Sequence, residues 1–430
     1  MTTTSTAPAD DRATGDRPAD DDVAEVIRGG DFQTVVRPVV ECGTGRVVGY
    51  DVHVAAVRGA LEQPGAMRAA VQDSPDSAEL GTLCRRAAME AVAAIGPGAG
   101  DRTRVFLDTP VEALATLADE EPALRERLVL QIDSARVLTH PAATLRAAER
   151  ARRDGWTVAV RGVGGSEASL AVLPLLDPDV VRLDVGVVRE HELRRISETF
   201  EAVRAHSMLT GSLVMAEGVT SASDENTVRM LGSSLAAGPF YYARGEHAAE
   251  AAIVSEMLGQ RTRQLLAAHS SPYTLVTARH EPRVADKRAL VALSKQLERE
   301  ALAAGGTAMV LSCFQHARHL GPSTLERYAE LARTGSMVAM LGAGIDAPPV
   351  PRARNAPLDA ADPLRREWTI VVITSSWTKL LTAHDFGDAG ADADRRFSYV
   401  VTADRDLALD AGRSLLSRIP ENAPPRRQRS

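Results

Sequence analysis

Residues 156–176 read WTVAVRGVGGSEASLAVLPLL, and the identity of the fold turns on the middle of this stretch. An apolar, β-branched run passes into Arg161-Gly162-Val163-Gly164-Gly165-Ser166, and a helix-like segment follows. Glycine-rich turns of this kind often cradle phosphates. A P-loop needs a lysine and then Ser or Thr after its last glycine, but Gly165 is followed by Ser166 and Glu167. The dinucleotide fingerprint needs a third glycine after Gly162 and Gly164, and Glu167 holds that place. Neither pattern is met, so what remains is a strand, a turn and a helix.

The same unit recurs on both sides. Between residues 31 and 244, strand-like runs FQTVVRPVV, RVVGYDVHVAAV, RVFLDT, LVLQID, WTVAVRGV, DVVRLDVGV, GSLVMAEGV and LAAGPFYYA alternate with helical pattern. The helices are expected at 78–95, 141–154, 167–176, 190–207 and 223–231. Only the first two runs lack an intervening helix; the turn ECGTGR joins them. Strand–helix alternation of this length predicts a largely parallel sheet, and eight strands favour a (β/α)8 barrel over an open doubly wound sheet. Chemistry in such barrels sits at the C-terminal ends of the strands. Those ends carry Asp51, Asp108, Gln131 and Asp133, Arg161 and Gly162, Arg182 and Asp184, Glu217, and Ala237.

Composition narrows the classes. A chain of 430 residues with 44% hydrophobic and 25% charged residues has material for two or three filled cores. A net charge of −7 and 4% aromatics speak against a nucleic-acid binder, which would carry a basic face and stacking platforms. No apolar run reaches the roughly 20 residues that span a bilayer, and the start has no secretion signal, so insertion in a membrane is not expected. Cys42, Cys84 and Cys313 are odd in number and far apart, which suits a reducing cytoplasm. Residues 1–22 are small, polar and acidic and are expected to be disordered.

Beyond the barrel region, Val254, Leu258 and Leu265 recur at helical spacing and predict a connecting helix within 246–272. A second, smaller α/β unit is expected over 273–420, followed by a loose tail, 421–430. Its strands are read at YTLVTAR, GTAMVLSCF, SMVAMLGA, EWTIVVITS and FSYVVTAD, and its helices at 286–304, 323–334 and 404–419. The proline-rich APPVPRARNAPLDAADP (347–363) is read as a long loop without regular structure. Cys313, His316 and His319 offer three possible ligands where structural zinc wants four, and the spacing of Cys313 with Met309 and Leu311 makes it a core residue. Trp368 is read as core or pocket wall, and Trp377 as able to line a pocket or partner surface.

The segments FQTVVRPVVECGTGRVVGYDVHV, WTVAVRGVGGSEASLAVLPLLDPDVVRLDVGVV and VMAEGVTSASDENTVRMLGSSLAAGPFYYAR together resemble the EAL domain of cyclic-di-GMP phosphodiesterases. The resemblance covers about half the chain and implies an EAL-type (β/α)8 barrel over residues 30–245. It also implies hydrolysis of cyclic di-GMP to the linear dinucleotide by two divalent metals, typically magnesium or manganese, held by carboxylates. This sequence departs from the pattern at nearly every catalytic place. The glutamate of the E-A-L triplet is matched by Asp51, followed by Val52 and His53, and the phosphate-holding arginine by Ala55. The metal-binding asparagine is matched by Asp108 and the next metal-binding glutamate by Gln131. Paired aspartates have become Arg161 and Gly162, and the lysine Arg182, which keeps a charge but cannot serve as a proton acceptor. Glu217 is kept; the glutamate three residues later is Thr220 and the late glutamine is Ala237.

A fixed cation at Arg161 repels metal ions and replaces their ligands, so the expectation is a catalytically inactive barrel without metal or other cofactor. Arg161 or Arg182 is then expected to pair with Asp184 or Glu217 in the metals' stead. Two alternatives stay open. Asp51, Asp108, Asp184 and Glu217 could form a shifted magnesium or manganese set in a weak phosphodiesterase, or the barrel could be a metal-free cyclic-di-GMP receptor. The loss at Ala55 argues against retained binding. The segments YTLVTARHEPRVADKRALVALSKQLERE, VLSCFQHARHL and EWTIVVITSSWTKLLTAHDFG resemble the DICT domain, a sensory module. The two resemblances imply a bacterial signalling protein, located in the cytoplasm, that acts through a ligand or a protein partner; EAL barrels commonly pair, so a homodimer is a candidate assembly.

Overall fold

The computed structural model describes residues 20–30, 32–62, 64–73, 76–94, 103–108, 125, 127–186, 193–244, 270–388 and 391–420. Its strands are β1 (Phe32–Glu41), β2 (Val47–Ala56), β3 (Arg104–Asp108), β4 (Leu128–Asp133), β5 (Thr157–Val163), β6 (Val180–Asp184), β7 (Leu213–Glu217) and β8 (Leu235–Ala237). They close into a barrel in chain order. The six strands from β2 to β7 run parallel to their next neighbours, whereas β1 is antiparallel to both β2 and β8. The antiparallel pair follows from the short turn between β1 and β2, because only a hairpin reverses the chain in so few residues. Gly43 and Gly45 supply the left-handed backbone that this turn needs, at φ 85° and 67°.

Inside the barrel the alternation of side chains stacks Val39, Phe106, Val129, Ala159, Val180, Met215, Leu235 and Ala237 into one buried cluster. Continuing each strand by two residues from that layer leads towards its C-terminal end, reaching it in β7 and stopping two residues short in β4, β5 and β6. Gln131 follows Val129, Arg161 follows Ala159, Arg182 follows Val180 and Glu217 follows Met215. The apolar layer is therefore the floor on which the polar residues at the mouth stand.

β8 is shorter than LAAGPFYYA suggested. It stops at Ala237, and Pro239–Arg244 winds into a 3-10 helix. Gly238 explains the break: at φ 151°, a Cβ there would lie 2.4 Å from the backbone of Val219. Near the N-terminus, Asp20–Gly29 is helical, so the disorder expected for 1–22 is corrected at its last residues. Val23 is 2% exposed and anchors that turn. The expected disorder of residues 1–19, the connecting helix read at 246–269 and the tail 421–430 lie outside the described residues. No helix among the described residues is long and apolar enough to cross a membrane.

By its contacts the chain divides into two compact units, one from Met1–Asp133, Ala147–Val163 and Pro178–Arg263, the other from Ser134–Arg146, Gly164–Asp177 and Gln264–Ser430. The second contains a seven-stranded mixed sheet of β9 (Arg283–Asp286), β10 (Met309–His316), β11 (Met337–Ala343), β12 (Arg354–Pro357), β13 (Glu367–Ile373), β14 (Thr378–Asp385) and β15 (Arg396–Thr402). The order is β12-β11-β10-β13-β14-β15-β9. β10, β11 and β12 are parallel; the remaining pairs are antiparallel. Helices Lys287–Ala304 and Pro322–Thr334 bury Leu290, Leu297, Tyr328 and Leu331 in the core that includes Val310, Ile370 and Phe397.

Several readings of this half are corrected. YTLVTAR is not a strand; Pro272–Thr277 is a helix, capped by Ser271, whose side chain accepts from Thr274 N–H. A Ser-Pro start pre-organises the first helical turn and outweighs the β-branched composition. The proline-rich segment does hold regular structure, the short edge strand β12, fastened by Asn355 Nδ2 donating to the Ile345 carbonyl at 2.9 Å. Edge positions tolerate proline because one side of the strand needs no partner. β9 and β14 were not anticipated; β14 follows β13 after a tight turn in which Thr374 Oγ1 donates to the Trp377 carbonyl.

Candidate functional site

The glycine turn of residues 162–165 is satisfied by its own chain. Gly162 and Gly164 take φ 71° and 90°; the first falls within a register shift of β5 between Val160 and Val163, after which Val163 still pairs with Leu183, and the second opens the turn. Gly164 N–H donates to Ser169 Oγ at 2.9 Å, and Ser169 N–H to Ser166 Oγ, which caps helix Glu167–Leu176. Donors that would face a phosphate in a cradle are here engaged with serine side chains.

The charged centre of the mouth is Arg182, near the end of β6. Its Nη1 donates to Asp51 Oδ1 at 3.0 Å and its Nη2 to Asp51 Oδ2 at 2.8 Å, a two-pronged bond across the barrel from β2. Its Nε forms an ion pair with Glu217 Oε1 from β7. Both residues of the Asp51–Arg182 pair are nearly closed to solvent, at 4% and 3% exposure. Burial alone would raise the Asp51 carboxyl. The charges of Arg182 and His53 and the bonds they make outweigh it and hold the group well below its usual 3.8.

Three more side chains complete the cluster. His53 Nε2 lies 3.0 Å from Asp51 Oδ2 and 3.4 Å from Arg37 Nη1. Gln131 Nε2 donates to Asp51 Oδ1 at 3.5 Å, and its Oε1, buried, has no hydrogen-bond partner among the described residues. The Phe106 ring lies 5.9 Å from the Arg182 guanidinium carbon, and the Tyr242 ring 5.9 Å from that of Arg37. Arg37 was missed in the sequence; it lies directly across from Asp51 because the register shifts by one residue between Val39 and Val40, and the turn carries no sign of that shift.

Of the other sequence-selected positions, Asp108 pairs in register with Gln131, and Arg161 with Asp133. Arg161 is half-buried and Gly162 exposed. Asp184 sits beside Glu217 in register but is exposed and accepts from Gly186 N–H at 2.7 Å rather than joining the arginine. Ala237 is buried next to Val39 and brings no polar atom. Thr220 donates both its N–H and its hydroxyl to Asp224, and Ala55 is 2% exposed. The structure thus joins Asp51, Gln131, Arg182 and Glu217, with Arg182 rather than Arg161 at the junction.

Among the described residues no group of three or more His, Cys, Asp or Glu is arranged to hold a metal ion. In the second unit, Cys313 is fully buried and donates to the Leu364 carbonyl at 3.3 Å, its thiol pushed up to about 12 by burial. His316 accepts from Arg318 N–H. Trp368 and Trp377 both pack against the core of that unit.

Comparison with known proteins adds the following. Residues 20–244 match the family model described as EAL domain, and residues 269–385 the one described as Sensory domain in DIguanylate Cyclases and Two-component system. No curated protein matches the chain. Among solved structures, an EAL domain protein from Listeria monocytogenes is 17% identical, covering 53% of this chain and 94% of its own, with a TM-score of 0.41. The S helix-GGDEF-EAL portion of Vibrio cholerae LapD, bound to c-di-GMP, is 12% identical over 53% of this chain and 58% of its own, with a TM-score of 0.44. A calcium and cyclic-di-GMP complex of Klebsiella pneumoniae BlrP1 is 20% identical over 49% and 55%, with a TM-score of 0.41.

Proposed function

The chain belongs to the EAL domain family, and from that premise we propose that its barrel no longer cuts cyclic di-GMP but serves a signalling protein as a binding module. One observation carries the reading: Arg182 occupies both oxygens of Asp51 and engages Glu217 as well. Divalent metals in this family would need such carboxylates as ligands. Here a permanent cation stands between them, and magnesium or manganese would have to displace a buried guanidinium and then bear its repulsion. The donor set does not fit two metal ions, so no hydrolytic step is assigned to it. The shifted set of Asp51, Asp108, Asp184 and Glu217 finds no support either, because Asp184 is exposed and tied to its own loop.

Retention of the dinucleotide is also disfavoured. Ala55 offers no charge to a phosphate, and the Arg182 guanidinium is turned to carboxylates instead of solvent. The output therefore falls to a protein partner, with the second unit as the sensing part, in keeping with the description of the model it matches. The test is direct. Purified full-length protein with excess magnesium or manganese should convert no cyclic di-GMP above buffer; turnover that disappears in Glu217→Ala would overturn the reading. Calorimetric titration with cyclic di-GMP should be silent at tens of micromolar ligand.

A further inference from the structure

The second unit encloses a cavity of about 250 Å³ between helix Lys287–Ala304, the end of β10, and β13 and β15. Val291, Phe314, Trp368 and Phe397 give it an apolar wall, and the Trp368 and Phe397 rings meet edge to face at 6.0 Å. Four cations, Lys287, Lys295, Arg327 and Arg395, also line it, against a single carboxylate, Glu298.

The cations are not equally engaged. Arg327 is paired with Glu298, Lys287 with Asp392, and Arg395 with Asp385 and Asp392. Lys295 is exposed at the rim and has no ion-pair partner among the described residues. Two polar groups of the lining are also unanswered: Ser294 Oγ, in a residue 3% exposed, and Trp368 Nε1 are buried and have no hydrogen-bond partner among the described residues. Buried donors are satisfied in the great majority of native structures, and an unsatisfied one calls for an explanation. Gln315, at the end of β10, lines the same cavity at φ 63° and 7% exposure, a strained backbone of the kind that gathers at binding sites. His319 reports the local potential: burial, then the charges of Lys287, Arg395 and Arg318, lower it to about 4, so the ring is neutral near pH 7.

We propose that this cavity binds a small organic anion with an apolar, ring-like body, its head taken by Lys295 and the Ser294 and Trp368 donors and its body by Phe314, Phe397 and Val291. Positive lining, unanswered donors and an aromatic wall together match that chemistry; a neutral solute would leave the charge unmet and a bare inorganic ion would leave the wall unfilled. The cavity is at the small end for ligand pockets, which limits the ligand to a single ring with its acidic group. The inference rests on the sensing role given above to the second unit and names what is sensed by class.

The experiment is calorimetry on the full chain with benzoate and phenylacetate, and with benzyl alcohol as the uncharged counterpart. Benzoate or phenylacetate should bind with Kd below about 1 mM, at least about tenfold more tightly than the alcohol. Lys295→Glu and Ser294→Ala should each weaken binding about tenfold in protein shown by its melt to be folded; Lys295 gives up only its attraction to Glu298, and the Ser294 hydroxyl no hydrogen bond among the described residues. The proposal fails if neither anion binds at about 10 mM, if the alcohol binds equally well, or if Lys295→Glu leaves affinity unchanged. Cyclic-di-GMP turnover in the parallel assay would sink the reading of the barrel and leave this one standing, whereas silence with both anions does the reverse.

Discussion

The barrel mouth and the cavity of the second unit both gather arginines, carboxylates and aromatic rings, but they dispose of their charge differently. At the mouth, Arg182 reaches Asp51 with two nitrogens and Glu217 with a third, while His53 and Gln131 approach the same aspartate. In the cavity, among the described residues, Lys295 acts on Glu298 only through its charge and makes no ion-pair contact, and Ser294 Oγ and Trp368 Nε1 have no hydrogen-bond partner. Buried ions that saturate one another hold a structure together and leave little for a ligand; groups left over around an apolar space do the opposite.

The contrast is most exposed to a change at Asp51. Replacing it by alanine leaves the buried Arg182 guanidinium with Glu217 as its remaining carboxylate and should cost the barrel about 3 kcal/mol or more in urea unfolding followed by near-ultraviolet dichroism. The double change Asp51→Leu with Arg182→Met should restore most of that loss. If it does not, the pair is not a self-contained unit.

The next effect separates the units by pH. Glu367, in the second unit, is raised from its ordinary 4.5 to about 7, mainly by burial, although Ser271 and the Tyr273 N–H favour its charged form. Between those two values the folded chain holds a proton that the unfolded chain releases. Stability of that unit should therefore fall as pH rises from about 4.5 to 7, by on the order of 3 kcal/mol, and level off above. Asp51 works in the other sense: its folded group lies below 3.8, so its contribution to the barrel is complete above that value and is lost as pH falls beneath it. Thermal melts should show the second unit's transition falling as pH rises from about 4.5 to 7 while the barrel's stays put, and the barrel's falling only as pH drops below 3.8; Glu367→Gln should flatten only the first.

Smaller still, Arg182→Lys keeps the charge but not the fork and should cost about 2 kcal/mol, which tests whether geometry or charge closes the mouth. Smallest is Ser294→Ala, which removes a hydroxyl with no partner and should change stability by less than about 1 kcal/mol. A larger loss would mean the hydroxyl is already used within the fold, and the comparison would weaken.

Much of the barrel was legible because its signals are local. Glu217 ends β7, and Gln131 and Arg182 stand two residues short of the ends of β4 and β6, where short β-branched runs give way to helical pattern; Asp51, expected at a strand end, lies instead in the middle of β2 (Val47–Ala56). In the second half the same reasoning failed where two local signals competed. Tyr273–Arg279 has the composition of a strand, yet Ser271 and Pro272 start a helix there. The proline-rich stretch read as loop, yet Arg354–Pro357 found an open edge beside β11. A free sheet edge is a property of the assembled sheet and leaves no mark on the segment that fills it.

By itself the sequence determined the alternation of strand and helix and the hairpin that opens the barrel; the family resemblance added the expectation that Arg161, Gly162 and Gln131 stand where metal-binding carboxylates would be. Which arginine would close the mouth was decided only in three dimensions. Arg182 and Asp51 are 131 residues apart, and no periodicity or spacing links them. Barrel closure brings β2 and β6 to face across one interior, and in that dry space a two-pronged ion pair is favoured over leaving either charge alone.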